Sequence, residues 1–447
     1  MPCKRPICIL PSVAASSTAT IAALAALVLT LGLRPAFADA VTFLPISELE
    51  GNEYGPAIAY NSNHDEYLVV WHDVYDVVHA RRVSSTGQLL NSFDVSTSPN
   101  GKRQASVAYD PVRDRYLVTW LYDYFGNASD LDIYGRFIPW DGPSAGLLDF
   151  PISNWTSDQS RPVVAYAQAE DEFLVAWVNS APGVPIYISG RRIFADGSGF
   201  PPGDGFPISS GAEDRDFPDV AYNLARNEYL VTWQTDTAGG GDIDGVRLSA
   251  TGTALGGGEF AIAGWTADER IPSVAACDTA DQYLVAWQSD QDTGGSDWAI
   301  YGRFVSGAGV PGNVPLIVDR TAPQTAVDMS CDAAGQQYLL AWEDVYAGGD
   351  VGVWARVVHA DETMEPDFPI VQPGTNRDRT EPAVAGGATN YLIAWEHDTG
   401  FIPNRNIWGL QVPVPEPAAA LAALTAVATL GALFRSKRRG KPRVEMG

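Results

Sequence analysis

The hydrophobic pattern of this chain is dominated by one phrase, in which an aromatic residue precedes three mostly apolar residues and a tryptophan. In the first copy, Tyr67 to Trp71, apolar side chains fall on both faces of the predicted strand, which is typical of a strand covered on both sides. The phrase occurs seven times, with successive tryptophans between 49 and 57 residues apart. This period predicts a supersecondary unit that stacks on copies of itself. The seven tryptophans are Trp71, Trp120, Trp177, Trp233, Trp287, Trp342 and Trp395.

Each unit contains four strand signals. A short apolar run such as 162–166 comes first, and Asn, Asp and charged residues that favour a tight turn separate it from the tryptophan phrase. A Gly- and Asp-rich loop then leads to a third run such as 133–137, and a Gly-bearing turn leads to a fourth such as 150–152. Proline in the fourth run removes a ladder donor, which is tolerated chiefly at a sheet edge. We therefore expect the fourth strand to be the outermost.

The two ends of the repeat array are complementary. The last unit stops after its third strand, 407–412, whereas the segment 42–47 is a fourth strand with no other strand before it. If this N-terminal strand pairs with the last unit, no sheet edge of the array is left open. An open solenoid would need polar capping units, and the sequence shows none. We predict that residues 39–412 form an all-β, seven-bladed β-propeller of four-stranded antiparallel blades, closed by the N-terminal strand.

Residues 1–38 are interpreted as a secretory signal peptide with a signal helix. Lys4 and Arg5 precede the apolar stretch 21–33, and small residues end the segment at Ala38. A retained N-terminal anchor is the alternative.

The C-terminus has three consecutive parts. A linker with a Pro-Glu-Pro motif, 413–417, precedes a predicted hydrophobic helix at 418–434 and a basic tail at 435–447. The residues of the motif and its basic end are Pro415, Glu416, Pro417, Arg435, Arg438 and Arg439.

This layout resembles the PEP-CTERM sorting tail of exported bacterial proteins, over about the last thirty residues. The resemblance implies a tail held in the inner membrane, basic end inside, until an exosortase-type processing enzyme releases the protein to the cell surface or extracellular matrix. The apolar segment by itself is a marginal span, because about 20 apolar residues are usual. A permanent single-pass anchor is the alternative.

Residues 39–417 carry 20 basic and 53 acidic residues, a formal net charge of −33. A charge of this sign argues against nucleic acid as a partner. Lys102 is the only lysine among those basic residues, which suits a surface where arginine pairs with carboxylates in bidentate geometry.

Cys277 and Cys331 are the two cysteines that follow the predicted signal peptide. The repeat places both at the end of the first strand, at the same position of adjacent units. Two buried free thiols are the default interpretation. A disulfide is the alternative, since an oxidising compartment permits one where the Cα atoms come within roughly 4.4 to 6.8 Å.

The loops between blades and the loops between second and third strands should emerge on one face, and both are acidic. Asp-x-Asp pairs in such loops supply the oxygen ligands that calcium prefers, although no loop has the twelve-residue calcium spacing. The competing interpretation is that these residues cap turns and pair with recurrent arginines. The candidate calcium ligands are Asp130, Asp132, Asp242, Asp244, Asp290 and Asp292.

Trp155 and Trp265 follow fourth strands and are candidates for stacking against sugars, with packing between blades as the alternative. No nucleophile elbow, phosphate loop or metal-spaced histidine set occurs, so we assign no catalytic residue.

The repeat resembles exported bacterial propeller-like repeats of the Leu-Val-x-Trp and Ile-Tyr-Gly-Arg type, a class with no single established activity. A fold of this kind does not determine function. We predict a non-catalytic surface or matrix protein that binds a polysaccharide or protein partner through its acidic rim. The alternative is a secreted glycan-processing hydrolase or lyase that uses carboxylates near the central channel.

Overall fold

The structure is a computed structural model. It describes residues 42–47, 51–96, 98, 101–123, 131–143, 148–201, 205–291, 298–318, 320, 322–346, 349–372, 378–398 and 405–414. The predicted signal peptide, both predicted terminal helices and the sorting motif lie outside these ranges. Within them, no helix is both long and apolar enough to cross a membrane, and the only helical element is a 3-10 turn at Asp278–Ala280.

The described chain forms seven four-stranded antiparallel sheets, which are the blades of the predicted all-β propeller. The first blade contains β2 (Glu53–Asn61), β3 (Glu66–Asp73), β4 (Val78–Ser84) and β5 (Leu89–Asp94). The second contains β6 (Gly101–Asp110), β7 (Arg115–Asp123), β8 (Leu131–Pro139) and β9 (Phe150–Ser153). The third contains β10 (Asp158–Ala167), β11 (Glu172–Ser180), β12 (Tyr187–Phe194) and β13 (Gly205–Pro207).

The remaining blades repeat this order. The fourth contains β14 (Asp214–Asn223), β15 (Glu228–Thr237), β16 (Gly240–Ser249) and β17 (Phe260–Ala263). The fifth contains β18 (Glu269–Cys277), β19 (Gln282–Ser289), β20 (Ala299–Ser306) and β21 (Leu316–Val318). The sixth contains β22 (Gln324–Cys331), β23 (Gln337–Val345), β24 (Val351–His359) and β25 (Phe368–Val371). The seventh contains β26 (Arg379–Gly386), β27 (Asn390–Asp398), β28 (Arg405–Pro413) and, as its outer strand, β1 (Leu44–Pro45).

The first strand of each blade is the innermost and contacts the first strand of the next blade, and β2 and β26 join the two ends of the ring in the same way. The fourth strand is the outer one, as its prolines predict. The seven repeated tryptophans of the second strands are each 2% exposed or less and fill the spaces between blades. At about 25 cal/mol per Å², burying a ring of about 150–250 Å² contributes roughly 4–6 kcal/mol.

A glycine in the third strand makes room for an isoleucine of the fourth. A Cβ atom added at Gly135 would lie 2.8 Å from Cδ1 of Ile152. In the seventh blade, a Cβ atom at Gly409 would lie 2.6 Å from Cδ1 of Ile46, which belongs to the N-terminal segment. The N-terminal segment therefore fills the same space in the last blade as a fourth strand fills elsewhere.

In four blades of the described chain, an arginine in the third strand ties the blade to the one before it. Arg191 donates from Nη1 to the carbonyl oxygen of Ile152 in the previous blade at 2.6 Å. Arg81 donates in the same way to the carbonyl oxygen of Ile46 at 2.8 Å. This contact joins the first blade to the segment that pairs with the last.

The N-terminal strand pairs with β28, with Leu44 opposite Gly409 and Pro45 opposite Trp408. The backbone N–H of Ser47 extends this pairing by donating to Ile407 at 2.9 Å.

The two cysteines form a disulfide with a Cα separation of 5.6 Å, so the interpretation as free thiols is wrong. The prediction that the two cysteines occupy the same position of adjacent blades is also wrong, by one residue. Cys331 lies opposite Tyr338, at the position that tyrosine holds in other blades, whereas Cys277 lies one residue further on, opposite Gln282. Successive strand residues point to opposite faces, so this offset turns the two side chains toward each other across the interface between the fifth and sixth blades.

Candidate functional site

The inner strand of every blade contains a β-bulge near its start. The register with the second strand shifts between Tyr54 and Ala57 in the first blade, and between Thr380 and Ala383 in the seventh. One residue of each bulge has a left-handed backbone, with φ between 49° and 57°. These seven residues, which we call the bulge ring, are Gly55, Gln104, Arg161, Phe217, Ile271, Ala326 and Glu381.

Six members of the bulge ring are not glycine, although a left-handed backbone costs other residues roughly 1–2 kcal/mol each. The conformation is least favourable for a β-branched residue such as Ile271. Strain of this kind persists where the surrounding structure imposes it, and it clusters at functional sites.

The bulge ring is also where the sevenfold repeat breaks down. Its seven members are all different, from glycine to arginine, phenylalanine and glutamate. The residue four positions further along each inner strand is serine in the sixth blade and alanine in the other six, namely Ala59, Ala108, Ala165, Ala221, Ala275 and Ala385. This level of the channel wall is therefore nearly uniform, whereas the bulge ring is chemically asymmetric, which is what a specific binding site requires.

The bulge ring surrounds a cavity of ≈ 580 Å³ whose lining comes from six of the seven blades, which places the cavity on the ring axis. It opens on the face where the inner strands begin, the face of the acidic loops. Pockets of roughly 300–1,000 Å³ are typical of small-molecule sites. The candidate site is therefore this cavity, at the centre of the face that carries the acidic loops.

The cavity has an apolar side and a polar side. Phe217 and Ile271 form the apolar side, together with the prolines that follow them. The guanidinium of Arg161 lies 3.7 Å from the centre of the Phe217 ring and pairs with Asp216 at 2.9 Å. Arg161 is thus held in place, and its charge is already balanced.

In four blades of the described chain, a side chain from the preceding blade fixes the backbone of the bulge. It occupies the position directly after the repeated tryptophan and accepts the backbone N–H of the bulge residue. Glu396 accepts from Gly55 at 2.9 Å, and Gln288 accepts from Ala326 at 3.1 Å.

Three glutamates lie together on the polar side. Glu343 accepts the backbone N–H of Glu381 at 2.9 Å, and Glu396 lines the cavity beside Glu381. The Glu381 side chain reaches water in the cavity, but protein surrounds it. This desolvation, followed by the charges of Glu396 and Glu343, raises its pKa to about 7. Burial also raises the pKa of Glu343.

Two further carboxylates line the channel below the bulge ring. Asp219 accepts the backbone N–H of Val274, and Asp328 accepts that of Val384, each at 2.7 Å. Each carboxyl group thus supplies a hydrogen-bond acceptor to the edge of a neighbouring inner strand. Desolvation raises their pKa values to about 7 and about 6. Ser273 donates to Asp328 at 3.2 Å.

His72 is the histidine that lines the cavity. Burial lowers its pKa to about 4, so it is neutral at physiological pH and adds no positive charge to the site.

The described candidates for calcium ligation lie in three different blades. Asp132 is buried in β8, Asp244 in β16 accepts the hydroxyl of Thr235 at 2.7 Å, and Asp290 accepts the backbone N–H of Asp268 at 2.8 Å. Asp242 is also in β16, whereas Asp130 and Asp292 lie outside the described ranges. In the part of the chain that the structure describes, no three His, Cys, Asp or Glu side chains are placed to hold a metal ion.

Acidic side chains of the rim serve local structure at several points. Asp73 caps its own turn by accepting the backbone N–H groups of Tyr75 and Val77, both at 2.9 Å. Asp76 pairs with Arg103 at 2.7 Å. These contacts match the turn-capping interpretation of the acidic loops.

The two candidate sugar-stacking tryptophans are partly exposed and pack against the blade cores. The ring of Trp155 lies 5.7 Å from that of Trp177, and the ring of Trp265 lies 5.9 Å from that of Trp287. Both rings therefore take part in packing against the next blade.

The bulge ring was not among the residues predicted from the sequence, although a signal for it is present. In five blades the bulge residue directly precedes proline, and aligning the repeats on that proline shows a variable position beside a constant one. The left-handed backbone and the cavity are visible only in the structure.

No protein-family model matches the chain, and no curated protein is similar to it in sequence. Among solved structures, polysaccharide lyase Uly1 is similar at 8% identity with a TM-score of 0.51, covering 81% of this chain and 90% of that one. Penicillium chrysogenum alpha-L-arabinanase has 10% identity and a TM-score of 0.48, with 84% and 97% covered. Puromycin hydrolase has 12% identity and a TM-score of 0.49, and the match covers 78% of this chain but about half, 51%, of that one. At 8% identity, the similarity to the lyase shows a shared propeller fold alone.

Proposed function

We propose that this protein is an exported propeller that binds a neutral carbohydrate chain in the cavity at the bulge ring. The observation that carries the proposal is the asymmetry of this ring, whose seven members all differ, above a level at which six of the seven blades carry alanine. This moves the predicted binding site from the acidic rim to the channel mouth.

The two sides of the cavity suit the two kinds of surface on a sugar. The ring of Phe217, one face of which Arg161 covers, lines the cavity and offers an apolar surface for a C–H face. Gln104, Arg161 and Glu381 offer polar groups for hydroxyls. A polyuronate fits poorly, because the glutamates of the cavity would repel it and the charge of Arg161 is already paired with Asp216.

Replacing Phe217 by alanine should weaken glycan binding about tenfold, since an aromatic contact is worth about 0.5–1.5 kcal/mol beyond its buried area. The measurement is calorimetric titration with neutral oligosaccharides chosen from a glycan array. Phe200→Ala is the matched control, because Phe200 is 37% exposed and stacks on Arg191 away from the cavity. Equal affinities for both variants, or retention of proteins alone, would contradict the proposal.

Processing at both termini is part of the same proposal. The signal peptide should be removed before Asp39, and an exosortase-type enzyme should remove the segment after Pro417 before release to the surface or matrix. Intact-mass analysis of the protein from the envelope and from the medium measures both ends. A released protein that keeps residues 418–447 would contradict processing.

We also propose that the N-terminal strand closes the ring. Its pairing with β28 and the contact of Ile46 with Gly409 support this.

A further inference from the structure

We infer that the cavity hydrolyses the glycosidic bond of a bound neutral glycan, with Glu381 as the proton donor and Glu396 as the base that activates water. This inference rests on the proposed glycan-binding function and adds a reaction to it.

The backbone brings the two carboxyl groups to one place. Glu396 lies directly opposite Thr380 across β26 and β27, and Glu381 is the next residue along β26. Both side chains line the same cavity. The remaining residues of the site differ from blade to blade, so this pair exists once in the ring, as catalysis by one asymmetric site requires.

The surroundings assign different roles to the two groups. Glu396 accepts hydrogen bonds from Arg405 at 2.7 Å, from Thr380 at 3.1 Å and from the backbone of Gly55. A carboxyl group paired with a guanidinium in this way accepts charge-assisted hydrogen bonds. Within the described chain, the carboxyl group of Glu381 accepts no hydrogen bond, and its pKa of about 7 leaves it protonated at mildly acidic pH. Two carboxyl groups in such different surroundings can act as an acid and a base.

The reaction balances without a cofactor. The Glu381 carboxyl gives its proton to the glycosidic oxygen as the bond from that oxygen to the anomeric carbon breaks. A water molecule adds to the anomeric carbon, and Glu396 takes the proton that this water loses. Proton exchange with solvent then returns Glu381 to the acid form and Glu396 to the anion. Glu343 has a positioning role, because it fixes the backbone of Glu381.

The test measures reducing-end release by the full-length chain from the neutral oligosaccharides that it binds. Glu381→Gln should lower the rate by about 10²–10⁴-fold, the usual contribution of an acid–base group, because the amide cannot protonate the glycosidic oxygen. Glu362→Gln is the matched control, because Glu362 is exposed on the turn after β24. Glu396→Gln should also abolish turnover, and its melting temperature shows whether the variant folds.

The pH profile gives a second readout. The pKa of Glu381 is raised, so its acid form persists up to about pH 7. Above that pH the wild-type rate should fall about tenfold per pH unit, as the proton donor is lost. The Glu362→Gln control should show the same decrease in rate above about pH 7.

The outcomes separate the two proposals. Glycan binding without product release, or a Glu381→Gln variant with wild-type turnover, would overturn the hydrolytic inference and leave the binding function standing. Absence of binding to any neutral glycan would overturn the proposed function itself. Formation of an unsaturated product from a polyuronate would show a lyase and overturn the inference.

Discussion

Replacement of Ile46 by alanine is expected to lower the free energy of unfolding by about 3–4 kcal/mol, within the range for truncating a buried isoleucine. Ile46 is fully buried in the core between the first and last blades and fills the space above Gly409. Its carbonyl oxygen also accepts a hydrogen bond from Arg81. Loss of its side chain therefore weakens the seam between the two ends of the ring. Urea denaturation followed by tryptophan fluorescence measures the change.

The chain supplies a matched comparison. Ile152 has the same role in the second blade, above Gly135, and is also fully buried. If the N-terminal strand is a true fourth strand, Ile152→Ala and Ile46→Ala should cost similar amounts. A large loss for Ile152→Ala with none for Ile46→Ala would show that the ring does not depend on the N-terminal strand.

Removal of the disulfide, by Cys277→Ala together with Cys331→Ala, is expected to lower the free energy of unfolding by about 4 kcal/mol. The bond closes a loop with a sequence separation of 54 residues, and in the chain-entropy model loops of 15 and 100 residues correspond to about 3 and about 4.7 kcal/mol. Comparing urea denaturation of the oxidised wild type, the reduced wild type and the double variant measures this. A double variant as stable as the oxidised protein would contradict it.

The same variant separates stability from binding. Both cysteines lie at or next to the ends of inner strands, whereas the bulge ring lies near the strand starts, at the other end of the channel. Glycan affinity of the folded double variant should therefore match that of the wild type.

Much of the fold could be read from local pattern. The tryptophan phrase predicted a strand buried on both faces, and Trp177 and its six equivalents are buried as expected. Prolines such as Pro151 and Pro207 predicted the outer position of the fourth strand. Proline lacks the backbone N–H that a central strand donates to its neighbours. These inferences succeeded because strand periodicity and backbone donors act over a few residues.

The site was less accessible to this reasoning. The acidic loops led to the prediction of a binding site at the rim. Carboxylates there, such as Asp73 and Asp76, cap turns and pair with arginine. Glu381 and Glu396 are far less prominent in the sequence, because each is one acidic residue among 54. Their shared cavity depends on a bulge and a strand pairing, which the composition does not reveal.

The sequence by itself determined the number of units, the four strands of each unit and their order from the channel outward, because each depends on spacing and side-chain alternation along the chain. Only the tertiary structure decided which residues meet across blades. The one-residue offset between Cys277 and Cys331 directs their side chains toward each other, and seven left-handed bulges bring unlike residues around one axis. Such contacts depend on how one blade is placed against the next, a geometry that no single repeat specifies.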